Sequence, residues 1–440
     1  MDTIRTNAME EKAIACRTLV LLLNTLHGGL QAYLSAISQT LPPLCTSSFD
    51  DIQMSALACM PDLLIAISET LQEPTAVDTY RHTFLYLVDI LLSFIADEPD
   101  IELLFPALQT LYYCILKSVL HRGRPIPIMQ GAEVARIVEV LHDALKVSFE
   151  RRAIRSADVE REDWDEEEVE EYKEIEENEN QAHYWIASIL GELLNGHSEF
   201  ALPLIHEILL SDMMDCCDPS RTAGDRLLAL LVMEKIVEYC GKEAYLYYPQ
   251  FIPIFRREIH ASNPTIREVA AQGLGMAAEF GGDLLWEVAE QCVKELEDTL
   301  DDPVSRESCY SDANGLDVIA IGKLCLYCEK SIGSVDRHFL FWLNHLPLSD
   351  GEQMEACVLI LCRLLDKGDE MLLGKEQQNL SKILEVLCQA VGCVGNAGVE
   401  QQALHMIKSI QMHSSPDLFN ALWNVLGERA GLVQQKLQSI

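Results

Sequence analysis

These 440 residues predict an all-α chain made of antiparallel helix pairs stacked in sequence order. Three observations carry that prediction. Apolar side chains recur every three or four positions along nearly the whole chain, which is the helical period, while strand-like alternation is hard to find. Short clusters of Gly, Pro, Asn and Asp break the pattern at intervals too small to hold crossover strands. The turns that open the second helix of each pair fall near residues 50, 100, 219, 263, 302 and 350, the last four being 44, 39 and 48 residues apart. Two-helix units of that length cannot bury their own apolar faces and must lean on their neighbours.

The stretch NPTIREVAAQGLGMAAEFGG at 263 to 282 is the template. Asn263 is placed to cap a helix that starts at Pro264. Ile266, Val269, Ala270, Leu274 and Ala277 form its stripe, and Gly281-Gly282 stops it. Arg267, one turn in, can reach carboxylates or carbonyls of a neighbouring loop. Ala270, Ala271, Gly273 and Gly275 leave room for another backbone.

From the start of the chain, a helix is expected over 10 to 26, stopped by Gly28-Gly29, and another over 30 to 45, interrupted near Pro42-Pro43. A third opens at Phe49-Asp50-Asp51 and runs to about Ile67, bending at Pro61. Residues 76 to 95 and 101 to 120 repeat the pair, separated by Asp97-Glu98-Pro99-Asp100. A Pro/Gly/Arg-rich link from His121 to Gly131 precedes a helix over 134 to 147. Beyond the acidic stretch described next, helices are expected over 181 to 195, ending at Gly196, and over 199 to 210. Others contain Leu227 to Val237, Tyr245 to Ile259, Leu284 to Thr299 and Leu316 to Leu324. The last cover 338 to 345, 352 to 366, 379 to 391, 399 to 411 and 416 to 427. About nine or ten HEAT-type units account for this, an α-solenoid of the armadillo-like kind. Helical repeats are expected over 1 to 157 and 181 to 440, with an acidic insertion at 158 to 180.

The formal charge is −36, which argues against a nucleic-acid surface and for basic partners or plain solubility. The charge is concentrated in residues 158 to 180, DVEREDWDEEEVEEYKEIEENEN, with 14 acids against Arg161 and Lys173. Val169, Tyr172 and Ile175 could form one stripe of a charged helix, but like charges this dense repel, so the segment is expected to protrude or be partly disordered. Facing a basic partner, such a row would steer association and supply carboxylates, with Trp164 and Tyr172 adding contact area. Fifteen cysteines lie mostly in apolar helical stretches, which suits buried thiols in a reducing compartment better than disulfides. No signal peptide is apparent, nor any unbroken apolar run of the length that spans a bilayer, so no membrane insertion is expected.

Enzyme chemistry and cofactors find little support. No zinc spacing, phosphate-cradling glycine loop or nucleophile elbow is present. Cys325 and Cys328 have a Cys-x-x-Cys spacing, but it falls inside an apolar helix without a second thiol pair. Gly273 and Gly275 lack a preceding strand. His183 and His197 have glutamates nearby yet read as satisfied or solvated rather than as metal ligands.

The 263 to 282 stretch, with LVMEKIVEYCGKEAYLYYPQFIP at 231 to 253, resembles the repeats of the importin beta (karyopherin beta) family, closest to its beta-3 branch, also called importin five. The likeness continues through SDANGLDVIAIGKL at 311 to 324 and HFLFWLNHLPLSDGEQMEA at 338 to 356, and RTNAMEEKAIACRTL at 5 to 19 resembles a segment from the middle of such receptors. In order, nearly the whole chain aligns with the C-terminal half of a receptor, whether as a fragment or as a natural short form. The resemblance implies a superhelix whose second helices line a concave face that holds basic cargo and Ran-GTP, with phenylalanine-glycine nucleoporins bound outside. Ran-GTP contacts would fall mainly in the absent N-terminal half. The implied location is cytoplasm and nucleus, including the nuclear pore. By the same resemblance the acidic run is a secondary contact for Ran or basic cargo, carried by Asp163, Asp165, Glu166, Glu167, Glu168, Glu170 and Glu171 beside Trp164. Asp312 and Asn314 would begin an inner helix, and Arg267 would be structural, holding the turn between repeats. One departure stands out: a tryptophan-rich turn of the family reads Asp218-Pro219-Ser220-Arg221-Thr222-Ala223 here. A HEAT scaffold for an assembly unrelated to transport is the alternative reading.

Overall fold

The computed structural model describes residues 2–70, 76–121, 124–125, 128–159, 166–367, 370–374, 377–415, 419–420, 423 and 428–438. Their regular structure is helical throughout, apart from one antiparallel pairing of Leu120–His121 with Arg124–Pro125. The chain divides into two compact units, Met1–Cys240 and Gly241–Ile440.

In the first unit, α1 (Asp2–Leu26) and α2 (Leu34–Cys45) precede α3 (Asp50–Leu57) and α4 (Met60–Thr70). The helix expected from 49 to 67 is therefore broken rather than bent. Pro61 has no amide hydrogen to continue it and restricts the residue before it, and the break falls at Ala58-Cys59. The interruption expected at Pro42-Pro43 does not occur, and α2 runs through both prolines. Then come α5 (Ala76–Asp97), α6 (Ile101–Val119), α7 (Gly131–Val159), α8 (Glu166–Leu204), α9 (Leu210–Cys216) and α10 (Ala223–Cys240). Consecutive second helices pack side by side, α4 on α6, α6 on α8 and α8 on α10, with first helix α5 on α7.

The second unit repeats the plan. A 3₁₀ turn (Gly241–Leu246) leads into α11 (Tyr248–Glu258), α12 (Pro264–Phe280), α13 (Asp283–Asp301), α14 (Ser311–Tyr327), α15 (Val335–Asn344) and α16 (Gly351–Asp366). The short α17 (Glu370–Leu373), α18 (Leu380–Ala390), α19 (Ala397–His413) and α20 (Glu428–Leu437) follow. Helices α12, α14, α16 and α19 lie in a row, each against the next, while α11 packs on α13. Stacked helix pairs of this kind are a HEAT-repeat solenoid. The closing helix expected at 416 to 427 lies largely outside the described residues.

Helix α12 shows how the sequence produces the stack. The Asn263 side chain accepts from the Ile266 amide at 3.2 Å, and Pro264 starts the helix. Gly281 at φ 78° and Gly282 at φ 116° end it in a conformation that costs other residues heavily. A β-carbon at Gly273 would meet the Phe255 ring at 2.6 Å, so this glycine lets α11 press its buried phenylalanine against α12. On the other flank Gly275 comes within 3.3 Å of the Ala320 backbone in α14 by the same measure. Close approach on both sides allows each helix to bury two faces, which a lone pair cannot do.

Thirteen of the fifteen cysteines are buried free thiols. Cys325 and Cys328 are among them, and burial pushes each up to about 12, far from a nucleophilic thiolate at neutral pH. The segments Met9–Leu30 and Asp50–Thr70 are long and apolar enough to cross a bilayer by length and composition. The second of these is half buried by neighbouring helices and contains the break at Ala58-Cys59.

Candidate functional site

From Glu166 onward the acidic stretch is helical. It is the first part of α8, a 39-residue segment in which two helices meet at a kink, and it continues straight into the apolar stretch expected to stand alone at 181 to 195. The stop expected at Gly196 falls one residue before the break that divides it. A local distortion at His197 (φ −144°, ψ 38°) marks a kink, and Pro203, which lacks an amide hydrogen, is followed by a π-helical turn over Ile205–Leu209.

What holds so acidic a helix in place is α7, which extends a full three turns beyond the expected end at Val147 and carries Arg151, Arg152 and Arg155. Arg151 Nε donates to Glu179 Oε1 at 2.8 Å, and Arg155 donates to the same oxygen at 2.6 Å. The other Glu179 oxygen accepts from Arg151 and from the Ser148 hydroxyl, at 3.1 and 2.6 Å. Arg152 lies deeper and reaches Asp225 of α10 at 2.6 Å, Asn180 at 2.7 Å and Glu176 at 2.9 Å. Burial pushes Glu179 upward, but the bonds from Arg151 and Ser148, the Arg151 charge and the Arg155 bond outweigh it and hold the carboxyl below its ordinary value. His183 Nε2 lies 2.8 Å from the Ser148 hydroxyl. Burial, with the Arg152 charge, depresses His183 to about 3, so its ring is neutral. Among the described residues no group of three potential metal ligands is found, and His183 is occupied by this network.

The network sorts the acidic stretch into two parts. Glu176 and Glu179 face inward and are consumed by arginines. Glu167, Glu168, Glu170 and Glu171 are exposed, as are Glu174 and Glu177. Asp163, Trp164 and Asp165 lie outside the described residues, and Glu166 opens the helix. Sequence reasoning alone misses the anchoring arginines. Their signal is there nonetheless: arginines at 151, 152 and 155, spanning one turn, shortly before a run with acids at 176 and 179, also about one turn apart.

In the second unit Asp312 is exposed in the first turn of α14 and its carbonyl accepts from Gln353 of α16 at 3.0 Å. Asn314 is half-buried; its amide donates to the Ser305 carbonyl at 2.6 Å and its oxygen accepts from Arg267 at 3.0 Å. Arg267 also donates to the Ser305 hydroxyl at 3.0 Å and to Asp317 at 2.7 Å, with its guanidinium 5.0 Å from the centre of the Tyr310 ring. It thus ties α12 to α14 and to the turn between them.

Solved structures of the karyopherin Kap121p superpose on nearly all of the chain. The form bound to the SUMO protease Ulp1p gives a TM-score of 0.78 at 15% identity, over 98% of this chain and 38% of that one. The form bound to Nup53p gives 0.77 at 15% identity, over 99% and 37%. The fold is the helical solenoid that these Kap121p structures share. In sequence, Importin subunit beta-3 of Saccharomyces cerevisiae is 24% identical over 213 residues, 47% of this chain and 18% of that protein. No family model matches the sequence. The chain therefore matches only a minor part of these karyopherins: 18% of the curated relative and 37 to 38% of the solved chains.

Proposed function

We propose that this chain is a segment of a nuclear import receptor whose work is binding rather than bond chemistry. The observation that carries the reading is the acidic helix: a karyopherin solenoid that fixes one edge of a dense carboxylate run on arginines and leaves the other edge in solvent. Glu167, Glu168, Glu170 and Glu171 offer exposed carboxylates to the lysines and arginines of a basic cargo protein, and Asp163, Trp164, Asp165 and Glu166, which precede them in sequence, are assigned to the same contact. Carboxylates held on a helix lose little further freedom on binding, and charge-assisted bonds to guanidinium groups are the stronger kind. Asp312, exposed at the start of α14, is a second acidic contact, while Asn314 serves it by holding the turn.

Release follows from linkage. Ran-GTP, held mainly by repeats outside this chain, favours a different stacking of the helix pairs or competes for the same acids, so each ligand weakens the other by about 5- to 150-fold. Nucleoporin phenylalanines have a place between first helices α5 and α7. There Leu85, Tyr86, Val88 and Leu92 line an open cavity of about 330 Å³, flanked by Asp89, Glu133 and Arg136. The Kap121p complexes with Ulp1p and with Nup53p support cargo and nucleoporin binding as the class of activity. Shuttling between cytoplasm and nucleus through the pore follows from the same reading.

The test is binding of a basic cargo protein to the full chain and to a variant with Glu167, Glu168, Glu170 and Glu171 changed to Gln, each with and without Ran-GTP or Ran-GDP in the full-length receptor. Weaker cargo binding by the variant, and loss of cargo on adding Ran-GTP but not Ran-GDP, are expected. Tight binding to one partner regardless of Ran would replace the transport reading with a static HEAT scaffold.

A further inference from the structure

The exposed face of α8 does not end where its acids do. Glu170, Glu174, Glu177, Gln181 and Tyr184 follow one another at spacings of three and four, and all are exposed. At 1.5 Å per residue, Glu170 and Tyr184 are about 21 Å apart along one helix face, the length of roughly six residues of extended peptide. At the far end of this row is a group of four aromatic rings. Trp185 of α8 lies 5.2 Å from Tyr112 and 5.9 Å from Tyr113, both on α6, and 5.2 Å from Tyr184, measured between ring centres. Tyr112 and Tyr113 meet edge to face at 5.3 Å.

These rings are not simply core. Tyr184 is 48% exposed and Tyr113 38%, while Trp185 is half-buried between them. Carboxylates stand behind the cluster as well. Glu192 lies two turns beyond Trp185 along α8, and Lys235 of α10 is held by Glu234 at 3.1 Å and Glu238 at 2.8 Å. Lys235 is thus already paired, and the exposed acids nearest in sequence to Tyr184 are Glu174 and Glu177 of the same helix. Exposed aromatic faces bordered by carboxylates attract a cation that is stacked and paired at once.

We propose that the α8 acidic row and the Tyr112, Tyr113, Tyr184, Trp185 cluster form one continuous site for an extended Lys/Arg-rich segment of a partner protein. The carboxylates take its cations in succession and the rings receive one arginine or lysine that fixes the register. The proposal rests on the reading of the chain as a receptor for basic cargo and locates where such cargo would be read. The two parts have separable signatures. Carboxylate contacts are screened by salt, whereas stacking on the rings is much less so.

The experiment titrates the full chain against a fluorescent 15-residue peptide of mixed Lys, Arg, Gly and Ser at several ionic strengths. Tyr113→Ala with Tyr184→Ala alters two exposed rings and is expected to weaken binding about tenfold with an unchanged salt dependence. Tyr113→Phe with Tyr184→Phe should restore it, since the ring faces and not the hydroxyls are used. Glu170→Gln, Glu174→Gln and Glu177→Gln together should flatten the salt dependence. If the alanine pair binds like the wild type while the glutamine variant is weakened, the aromatic site is overturned and the receptor reading stands. If the wild-type chain does not bind the peptide at all, both fall.

Discussion

In the first unit three arginines of α7 meet Glu176, Glu179 and Asn180 of α8 and Asp225 of α10, with Ser148 of their own helix joining at Glu179. In the second, a single arginine of α12 meets one aspartate of α14. Both arrangements tie consecutive second helices together, α8 to α10 through Arg152 and α12 to α14 through Arg267, and both are buried. They differ in how the carboxylate is neutralised. Glu179 has bonds on both oxygens and is held below its ordinary value. Asp317 has one oxygen on Arg267 and the other buried with no partner, as is Arg267 Nε. Burial pushes Asp317 up to about 7 against the pull of the Arg267 charge and hydrogen bond. An ion pair in low dielectric needs its remaining lone pairs satisfied to offset desolvation. The first network meets that condition at Glu179 and the second does not at Asp317. The first therefore fixes a charged helix, while the second is a polar tie close to losing its charge.

The sharpest way to break the comparison is to remove the arginines that donate to Glu179, leaving the Ser148 bond in place. Arg151→Met with Arg155→Met leaves a fully buried carboxylate that is ionised in the wild type. A destabilisation of about 3–5 kcal/mol is expected, read in urea denaturation, with loss of amide protection along the first half of α8. Loss below about 1 kcal/mol would mean that the acidic helix is held by its apolar stripe alone.

Arg267→Met makes the corresponding change in the second unit and should cost less near pH 6, about 1–3 kcal/mol. The reason is that Asp317 can take up a proton instead of remaining an unpaired charge. The pH dependence sharpens this further. An acid whose folded value lies above its unfolded one binds more protons when folded, so stability falls as pH rises from about 4 to about 7. Between pH 8 and 5.5 the wild type should gain on the order of 2 kcal/mol from this residue, and Asp317→Asn should abolish the gain. Glu179 behaves oppositely. Its contribution is complete above its unfolded value near 4.5 and disappears as pH falls through its depressed folded value. Paired thermal melts of the wild type, Asp317→Asn and Glu179→Gln at pH 8, 5.5 and 3.5 separate the two.

The same contrast explains what could be read from the sequence. Helix α12 was legible end to end, because its cap, proline start, apolar stripe and glycine stop are all local signals within one short stretch. So was the all-helical stack, since the spacing of the turns repeats it. The partners of the arginines were not. Arg267 could be placed one turn into its helix, but Asp317 lies 50 residues away and nothing local couples them. For the acidic run, local signals were divided: like charges point to repulsion and protrusion, the stripe of Val169, Tyr172 and Ile175 to a charged helix, and only the register of α7 against α8 shows that Glu176 and Glu179 meet arginines while Glu170 and Glu177 do not. The aromatic cluster was hidden for the same reason, with Tyr112 and Tyr113 on α6 and Tyr184 and Trp185 on α8, a whole helix later in the chain.

The smallest expected effect tests whether that division of α8 is real. Glu170→Gln removes an exposed carboxylate whose bond is to Lys173, one turn away at 3.2 Å, a surface pair of the kind that contributes little. Stability should change by no more than about 0.5 kcal/mol in either direction. Glu176→Gln lies less than two turns further along the same helix and takes a carboxylate from Arg152, which is 5% exposed and also serves Asp225 and Asn180. Its loss should be measurably larger, about 1–2 kcal/mol. Neighbouring glutamates of identical chemistry would then differ because of the face they occupy. Equal effects at the two positions would mean that the helix turns differently about its axis, and the inward and outward rows of acids would have to be reassigned together.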